Sequence, residues 1–213
     1  MSRPILIIGA GGHGRVLADL AFCLGRQVLG FLDRDAQLHG TVIDGIKVLG
    51  GDECLADYPA HAVSLLNGIG SIAISDLRRD VYMRLTGLGY QFEALCHPGA
   101  TVGRSVTLAQ GVQVMAGSIV QNGARIGENA ILNTGAIVEH DCVVGAHTHL
   151  ASGATVCGGV RIGANCHIGA GAVIVQGLAV GDGVLVAAGA AVVKDVPSGT
   201  RVAGVPARRM EQK

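Results

Sequence analysis

The most regular feature of the chain is an aliphatic residue at every sixth position from Val102 to Val192. A small side chain mostly follows four positions later, and Gly, Asn or Asp often precedes that small residue. This period predicts a β-helix in which each hexapeptide forms one flat side, three sides close a coil, and the aliphatic and small residues point inward. Corners with positive φ are predicted at Gly111, Gly117, Gly123, Asn129, Gly135, Asp141 and Gly153.

The first ninety residues instead alternate short apolar runs with glycine turns and helical spacing. An apolar run at 4–9 leads into the turn 9–14, then a helix, then a second strand at 27–33 that ends on Asp33. In such a βαβ unit the helix N-terminus receives phosphate, and a carboxylate at the end of the second strand meets the ribose or base. The pattern therefore predicts a nucleotide-type site.

Further elements complete a small Rossmann-like α/β domain with a parallel sheet. Its ligand crevice is expected outside the carboxyl ends of the strands, the edge on which His13, Asp33 and the turn 67–71 fall. The remaining predicted elements are a strand at 62–67, a helix at 76–88 and a last strand at 91–97.

Composition divides the chain at the same place. All three Phe and all three Tyr precede residue 93, and a narrow β-helix has no space for rings. The sequence therefore predicts two domains, 1–97 for the α/β part and 98–213 for the β-helix with its C-terminal tail.

Charge and cysteine content exclude several classes of protein. Lys plus Arg and Asp plus Glu are 16 each, so no overall field favours nucleic acid or an anionic membrane. Polar residues or glycine interrupt every apolar segment before 18 residues, which predicts a cytoplasmic, soluble chain. The six cysteines form no CxxC pair, so neither a zinc motif nor a disulfide framework is expected, and no metal is predicted.

The period also places residues 18 apart in one column, one sheet spacing apart. His140 then lies between Asn122 and Gly158, and His149 lies beside His167. A histidine next to a carboxylate, facing backbone N–H groups with no side chain in the way, provides a general base and a place for a developing oxyanion. This arrangement is typical of acyl transfer.

The chain resembles the nucleotide-sugar N-acetyltransferases of the bacillosamine and perosamine pathways, with the related sialic acid O-acetyltransferase group. The resemblance implies a left-handed parallel β-helix, a homotrimer with active sites between subunits, acetyl-CoA in the groove between them, and an N-terminal domain that binds the nucleotide. It rests on IGAGGHGRV at 8–16, FLD at 31–33, NGIGS at 67–71, HPGA at 97–100, NTGAIVEHDCVVGAHTHLASGATVCGGVRIG at 133–163 and AGVPARRM at 203–210.

By this resemblance His140 is the catalytic base that takes a proton from the sugar amine as it attacks the thioester. Asp141 orients or polarises its ring, and Glu139 is a second candidate for that role. His149 contacts the acetyl-CoA end of the site from the neighbouring subunit. The N–H of Gly158 faces the thioester carbonyl.

The resemblance also implies residues that hold the two substrates. Ala188 and Gly189 line the pantetheine channel, and Asn133 contacts the sugar. The nucleotide residues are Gly11, Gly12, His13 and Gly14 for phosphate and ribose, Asp33 for the base, and Gly70 and Ser71 in the second turn. Some relatives carry two successive acidic residues where this chain has Asp33-Arg34-Asp35, so the base stays open among UDP, GDP and dTDP.

We expect N-acetylation of a nucleotide-activated 4-amino-4,6-dideoxy sugar, with O-acetylation of sialic acid or a related sugar as the alternative. Solvent in place of His140 is an alternative proton acceptor. A carbonic anhydrase type of site needs two histidines five apart on one subunit, a spacing that His140, His147, His149 and His167 do not offer. A non-catalytic β-helix would not need the arrangement around His140. His147 and His167 are expected at corners or on the surface.

Overall fold

The structure, a computed structural model, describes residues 2–71 and 76–210. The chain forms two compact units. The first consists of Met1–Gly70 with Leu77–Leu95, and the second of Ser71–Asp76 with Cys96–Lys213.

The first unit is built on a five-stranded sheet of order β3-β4-β2-β1-β5. Strands β4, β2, β1 and β5 are parallel, and β3 pairs with β4 in antiparallel fashion. All four residues of β1 are buried, as expected for a central parallel strand. The elements are β1 Ile5–Ile8, α1 Gly12–Cys23, β2 Val28–Leu32, a 3₁₀ turn Ala36–Leu38, β3 Val42–Ile43, β4 Ile46–Gly50, a second 3₁₀ segment Asp52–Asp57, β5 Ser64–Asn67 and α2 Leu77–Gly87.

Two parts of this sheet differ from the pattern-based expectation. The β3–β4 hairpin was not predicted. The strand expected at 91–97 is not continuous, because Phe92 makes a single bridge to Leu65 while Leu95–Cys96 forms a separate strand, β6. That strand lies next to a strand at Gln113–Val114, 18 residues further on, so the coil period begins before the first residue of the aliphatic series.

The second unit is a left-handed parallel β-helix made of short strands, nearly all of two residues. In chain order they are β6 Leu95–Cys96, β7 Thr101–Val102, β8 Thr107–Leu108, β9 Gln113–Val114, β10 Ile119–Val120, β11 Arg125–Ile126, β12 Ile131–Leu132, β13 Ile137–Val138, β14 Val143–Val144, β15 His149–Leu150, β16 Thr155–Val156, β17 Arg161–Ile162, β18 His167–Ile168, β19 Val173–Ile174, β20 Ala179–Val180, β21 Leu185–Val186, β22 Ala191–Val192, β23 Arg201–Ala203 and β24 Arg208–Arg209.

Every third strand belongs to the same sheet, so the coil has three faces. We name each face by the residues that point away from the coil. The histidine face carries Gln113, Ile131, His149, His167 and Leu185; the isoleucine face carries Thr101, Ile119, Ile137, Thr155, Val173 and Ala191; the arginine face carries Thr107, Arg125, Val143, Arg161 and Ala179.

The second residue of most of these strands points inward and stacks on its counterpart one coil away, as the period predicts. Val138 pairs in register with Val120 on one side and Val156 on the other, and all three are at most 1% exposed. Each such ladder excludes water from small aliphatic side chains without needing aromatic rings.

The predicted corner conformation is confirmed at all seven positions, with φ between 55° at Asn129 and 78° at Gly123. His147 and Asn165 adopt the same conformation, with φ of 61° and 55°. His147 was not among the predicted corners because only Gly, Asn and Asp had been singled out, and Asn165 was not among them because the corners named end at Gly153. His147 does lie at a corner, as expected for it.

Candidate active site

His140 and Asp141 lie at the corner between the isoleucine face and the arginine face. Asp141 Oδ2 accepts a hydrogen bond from His140 Nδ1 at 3.0 Å. The two side chains are 67% and 74% exposed in the single chain. A carboxylate on Nδ1 fixes the neutral ring as the Nδ1–H tautomer, so Nε2 carries the free lone pair of a base.

Gly158 lies directly beside the free nitrogen of this ring. A Cβ built on Gly158 would be 2.6 Å from His140 Nε2, so the imidazole occupies the space that any other residue's side chain would need. The Gly158 N–H has no hydrogen-bond partner among the described residues. The column predicted from the period therefore brings the His140 ring against Gly158, whose backbone carries an unused donor.

The corner geometry explains why these residues meet. Asp141 has a φ of 61°, a conformation that Asp tolerates better than most residues, and its N–H donates to Asn122 O. Gly159, with a φ of 70°, donates its N–H to His140 O. Backbone hydrogen bonds thus lock the turn of His140 between the coils before and after it.

Glu139, the second candidate partner of the ring, has a different environment. Its N–H donates to Val156 O, and its side chain is half-buried. Among the hydrogen bonds of the described residues, the partner of the His140 ring is Asp141 and not Glu139.

A second set of predicted residues meets on the histidine face. His149 is 7% exposed, and its Nδ1 donates to Ser71 O at 3.0 Å, with Ser71 Oγ at 2.9 Å. Asn133 Nδ2 donates to His149 Nε2 at 3.2 Å. The Asn133 amide is oriented by Thr134 N–H, which donates to its Oδ1 at 2.8 Å. His149 is therefore a neutral ring with both nitrogens already engaged.

A cavity of about 310 Å³ opens beside this set. Its wall contains Ser71 and His149 together with Ala188, one of the two predicted pantetheine residues. Gly189 is the next residue, a corner with a φ of 67°, and is not part of the wall. The remaining wall residues are Ala151, His167, Gly169, Ala170, Leu185, Val186 and Ala187.

His167 is not the corner or surface residue that was expected. It lies on β18, next to His149 on β15, and is 9% exposed. Burial lowers the pKa of its imidazole, so the ring is neutral near pH 7. The period predicted its neighbour correctly, but not that its outward side would be covered.

The glycine turn of the first unit has two kinds of glycine. Gly11 and Gly12, at the N-terminus of α1, meet no atom within 4 Å of an added Cβ, so ligand could approach this backbone closely. A Cβ on Gly14 would instead be 2.0 Å from Gly9 O, so Gly14 is required by packing. His13 lies against Gly70, with its Cβ 3.3 Å from a Cβ built there.

Asp33 is tied to the turn by its carboxylate. Oδ2 accepts from Ala10 N–H at 2.7 Å, and Oδ1 accepts from Asp35 N–H at 2.9 Å. His39 Nε2 lies 2.7 Å from Asp33 O, which adds a histidine that the sequence did not single out. Asp33 therefore shapes the end of β2 and the glycine turn, with one lone pair left on each oxygen for a ligand.

Arg78 on α2 was also missed. It is 3% exposed, and its guanidinium donates to Asn67 O at 2.6 Å and Ile69 O at 2.8 Å. Burial lowers the pKa of this guanidinium. Arg78 holds the start of the turn 67–71, and a charged residue within a helix of mixed polarity gave no signal for this role.

Two further features bear on what the chain can bind. Among residues 2–71 and 76–210, no group of three or more His, Cys, Asp or Glu side chains is arranged to hold a metal ion. None of the helices in that part of the chain has the length and apolar character needed to cross a membrane.

Comparison with known families assigns both units. Residues 4–85 match the PglD N-terminal domain, residues 123–158 match the bacterial transferase hexapeptide (six repeats), and residues 159–194 match the hexapeptide repeat of succinyl-transferase. No curated protein sequence matches the chain.

Solved structures match the chain over its whole length. The acetyltransferase domain of PglB from Neisseria gonorrhoeae is 37% identical, with a TM-score of 0.90, 98% of this chain covered and 100% of that one. A histidine-to-alanine variant of GDP-perosamine N-acetyltransferase from Caulobacter crescentus, in complex with CoA and GDP-perosamine, is 34% identical, with a TM-score of 0.92 and coverage of 98% and 97%. WeeI from Acinetobacter baumannii is 29% identical, with a TM-score of 0.87 and coverage of 98% and 100%.

Proposed function

The chain belongs to the nucleotide-sugar N-acetyltransferases of the bacillosamine and perosamine type, and we propose that it transfers the acetyl group of acetyl-CoA to the amine of a nucleotide-linked 4-amino-4,6-dideoxy sugar. It is an acyltransferase of the hexapeptide-repeat class. The observation that carries the proposal is the His140–Asp141 pair, whose free Nε2 lies against Gly158.

The proposed reaction uses this geometry. As the sugar nitrogen attacks the thioester carbonyl, His140 Nε2 accepts its proton, and Asp141 stabilises the resulting imidazolium through Nδ1–H. The Gly158 N–H donates to the oxyanion of the tetrahedral intermediate. When the intermediate collapses, the C–S bond breaks and the imidazolium returns the proton to the departing sulfur, which leaves as the CoA thiol.

One chain does not bring all of these residues together. His140 lies at the corner where the isoleucine face meets the arginine face. The cavity with Ala188 opens on the histidine face and at the corner where that face meets the isoleucine face. The middle of the isoleucine face carries apolar side chains, with Ile119 and Ile137 half-buried and Val173 37% exposed in the single chain. A second copy packed on this face would place its cavity beside His140 and cover the apolar side chains.

We therefore propose a homotrimer with three active sites between subunits. In each site one subunit supplies His140, Asp141 and Gly158, and its neighbour supplies His149 and the cavity that receives acetyl-CoA. Asp141 orients the His140 ring, and Glu139, its other neighbour in sequence, is the second candidate for this role. Asn133 contacts the sugar, and Gly189 continues the pantetheine channel from Ala188.

The first unit would bind the nucleotide, and residues 1–97 are proposed as that domain. The open backbone of Gly11 and Gly12 at the N-terminus of α1 suits a diphosphate. His13 and Gly70 form the adjoining wall, and Asp33 is placed to meet the ribose or base. UDP- and GDP-linked sugars are the first candidates, with dTDP-linked sugars as the third.

The test is thiol release from acetyl-CoA with a panel of UDP-, GDP- and dTDP-linked 4-amino sugars. We expect release with at least one amino sugar and none with free sialic acid. Release with sialic acid alone would replace the proposal by O-acetylation. The His140→Ala variant is expected to lose at least about 100-fold in turnover while staying folded. If the pH dependence of the rate follows only the pKa of the substrate amine and the rate does not depend on His140, deprotonation would be assigned to solvent.

A further inference from the structure

One buried polar group next to the cavity has no part in the reaction described above. The ring of His167 is 9% exposed, and its Nδ1 is buried with no hydrogen-bond partner among the described residues. Buried polar atoms are nearly always hydrogen-bonded, because an unpartnered one loses its contact with water and gains nothing in return. At His167 the described residues supply no partner for Nδ1, which is enclosed, and none for Nε2, so Nε2 is the nitrogen that an outside partner can reach.

The surroundings of His167 show where a partner for Nε2 would lie. His167 forms part of the wall of the 310 Å³ cavity, with Ser71 and His149 as the other polar side chains of the wall. His149 already bonds Ser71 through one ring nitrogen and Asn133 through the other. Of the polar side chains in this wall, His167 is the one that holds an unused hydrogen-bonding nitrogen.

The orientation and proton of the ring can be assigned. His149 and His167 pack edge to face, with centroids 5.1 Å apart and planes at 88°, which restrains the His167 ring. Burial lowers the pKa of His167, so the ring is neutral and carries one N–H. A buried N–H without an acceptor is rarer than a bare acceptor, so the proton belongs on Nε2 and Nδ1 is the bare acceptor. Because Nδ1 is the enclosed nitrogen, Nε2–H is the group through which His167 reaches the cavity.

An N–H donor on an otherwise apolar wall selects a carbonyl oxygen. His167 lies one strand beyond His149, about 4.8 Å further along the coil toward Leu185 and Ala188. In an acyl-pantetheine arm that enters with its thioester at His149, the first amide carbonyl follows the sulfur by a few bonds, a reach comparable with one strand spacing.

We propose that His167 Nε2–H donates a hydrogen bond to the first amide carbonyl of the pantetheine arm and makes the enzyme selective for acyl donors that carry this amide. This inference rests on the proposed use of acetyl-CoA. His167 is a specificity-determining residue for the donor and takes no part in the proton transfer at His140.

Two truncated donors of similar length test this directly. S-acetyl-N-acetylcysteamine carries the thioester and one amide, whereas S-pentyl thioacetate carries the thioester on a plain alkyl chain. With the amino sugar that is turned over with acetyl-CoA, we expect the wild-type kcat/KM to favour the amide donor about 10-fold. In His167→Phe, which retains a ring against His149, this ratio should fall to about 1, and the KM for acetyl-CoA should rise about 3- to 10-fold with kcat nearly unchanged.

Two other variants separate the hydrogen bond from packing. His167→Gln retains an N–H donor and should recover part of the amide preference. Leu185→Ala alters the apolar wall of the same cavity and should weaken both truncated donors alike, leaving their ratio intact. An unchanged ratio in folded His167→Phe, or loss of the ratio in Leu185→Ala, would overturn the inference. Failure of the wild-type protein to use acetyl-CoA at all would instead overturn the proposed function.

Discussion

The most direct test of the candidate site is the substitution Gly158→Ala, because it displaces the His140 ring by a distance that the structure gives. The added methyl would lie 2.6 Å from His140 Nε2 and 2.8 Å from Cε1, where ordinary contacts are 3.4–4 Å. The imidazole must therefore shift by roughly 1 Å. Its side chain is 67% exposed, so it can swing into solvent and no packed element has to move.

The expected result is a loss of activity without a loss of stability. Misplacing a catalytic group by about 1 Å costs on the order of 100-fold in rate, or about 2.7 kcal/mol of transition-state stabilisation. The free energy of unfolding should change by less than about 0.5 kcal/mol, the usual range for exposed sites. Steady-state thiol release and a urea titration measure the two quantities on the same sample.

Gly159→Ala is the matched control. Its φ of 70° disfavours any L side chain, but an added Cβ meets no atom within 4 Å. This variant should lose about 1–2 kcal/mol of stability and retain turnover within a few-fold.

A double variant decides whether Gly158→Ala acts through the ring. If it does, combining it with His140→Ala should add almost nothing to the loss from His140→Ala alone. Wild-type turnover in folded Gly158→Ala would refute the assigned position of the base. A loss that multiplies with that of His140→Ala would mean that the methyl blocks substrate instead.

The remaining predictions concern the tautomer, the subunit interface and the two buried histidines. Asp141→Asn should lower kcat at least about 10-fold by weakening control of the tautomer, with stability unchanged because Asn tolerates a φ of 61°. Ile137→Glu should dissociate the proposed trimer and abolish activity, whereas Val143→Glu, the same change on the arginine face, should leave the mass in light scattering unchanged. His149→Ala should cost about 1–3 kcal/mol in a urea titration, since it leaves two hydrogen-bond partners unsatisfied. Burial lowers the pKa of His167 from its ordinary value of 6.5, so below that pH the unfolded chain binds a proton at His167 that the folded chain does not bind. The free energy of unfolding of the wild-type protein should therefore fall as the pH drops below about 6.5, more steeply than that of His167→Phe.

The parts of the fold that depend on periodicity could be predicted from the sequence. A coil whose inner positions must be aliphatic fixes which residues stack, and this placed Gly158 beside His140 and His167 beside His149. Corners that need positive φ select Gly, Asn or Asp, so their positions could be predicted too. His147 departs from this rule because its corner conformation is held by hydrogen bonds that local composition does not reveal.

What could not be predicted depends on contacts between residues far apart in sequence. The period assigns His149 and His167 to outward positions, but it does not show whether other residues cover those positions. Ser71, 78 residues before His149, belongs to the β-helix unit and accepts the hydrogen bond of His149 Nδ1. In the first unit, the buried Arg78 supports the turn 67–71 through carbonyl oxygens, which have no signature in side-chain patterning.

These contacts give a reason for the position of the His140–Asp141 pair at a corner. The inward positions of the coil are occupied by the aliphatic ladders, and the outward positions of the histidine face from Gln113 to His167 are buried. The side chains of His140 and Asp141 are 67% and 74% exposed, so they pack neither in the aliphatic ladders nor in the buried part of the histidine face. Their residue types are therefore not restricted by the packing of the core. Exposure also leaves them without the dry surroundings that strengthen a base and an oxyanion donor. In the proposed trimer, a neighbouring subunit packed on the isoleucine face would supply that environment, and assembly would then be a condition of catalysis.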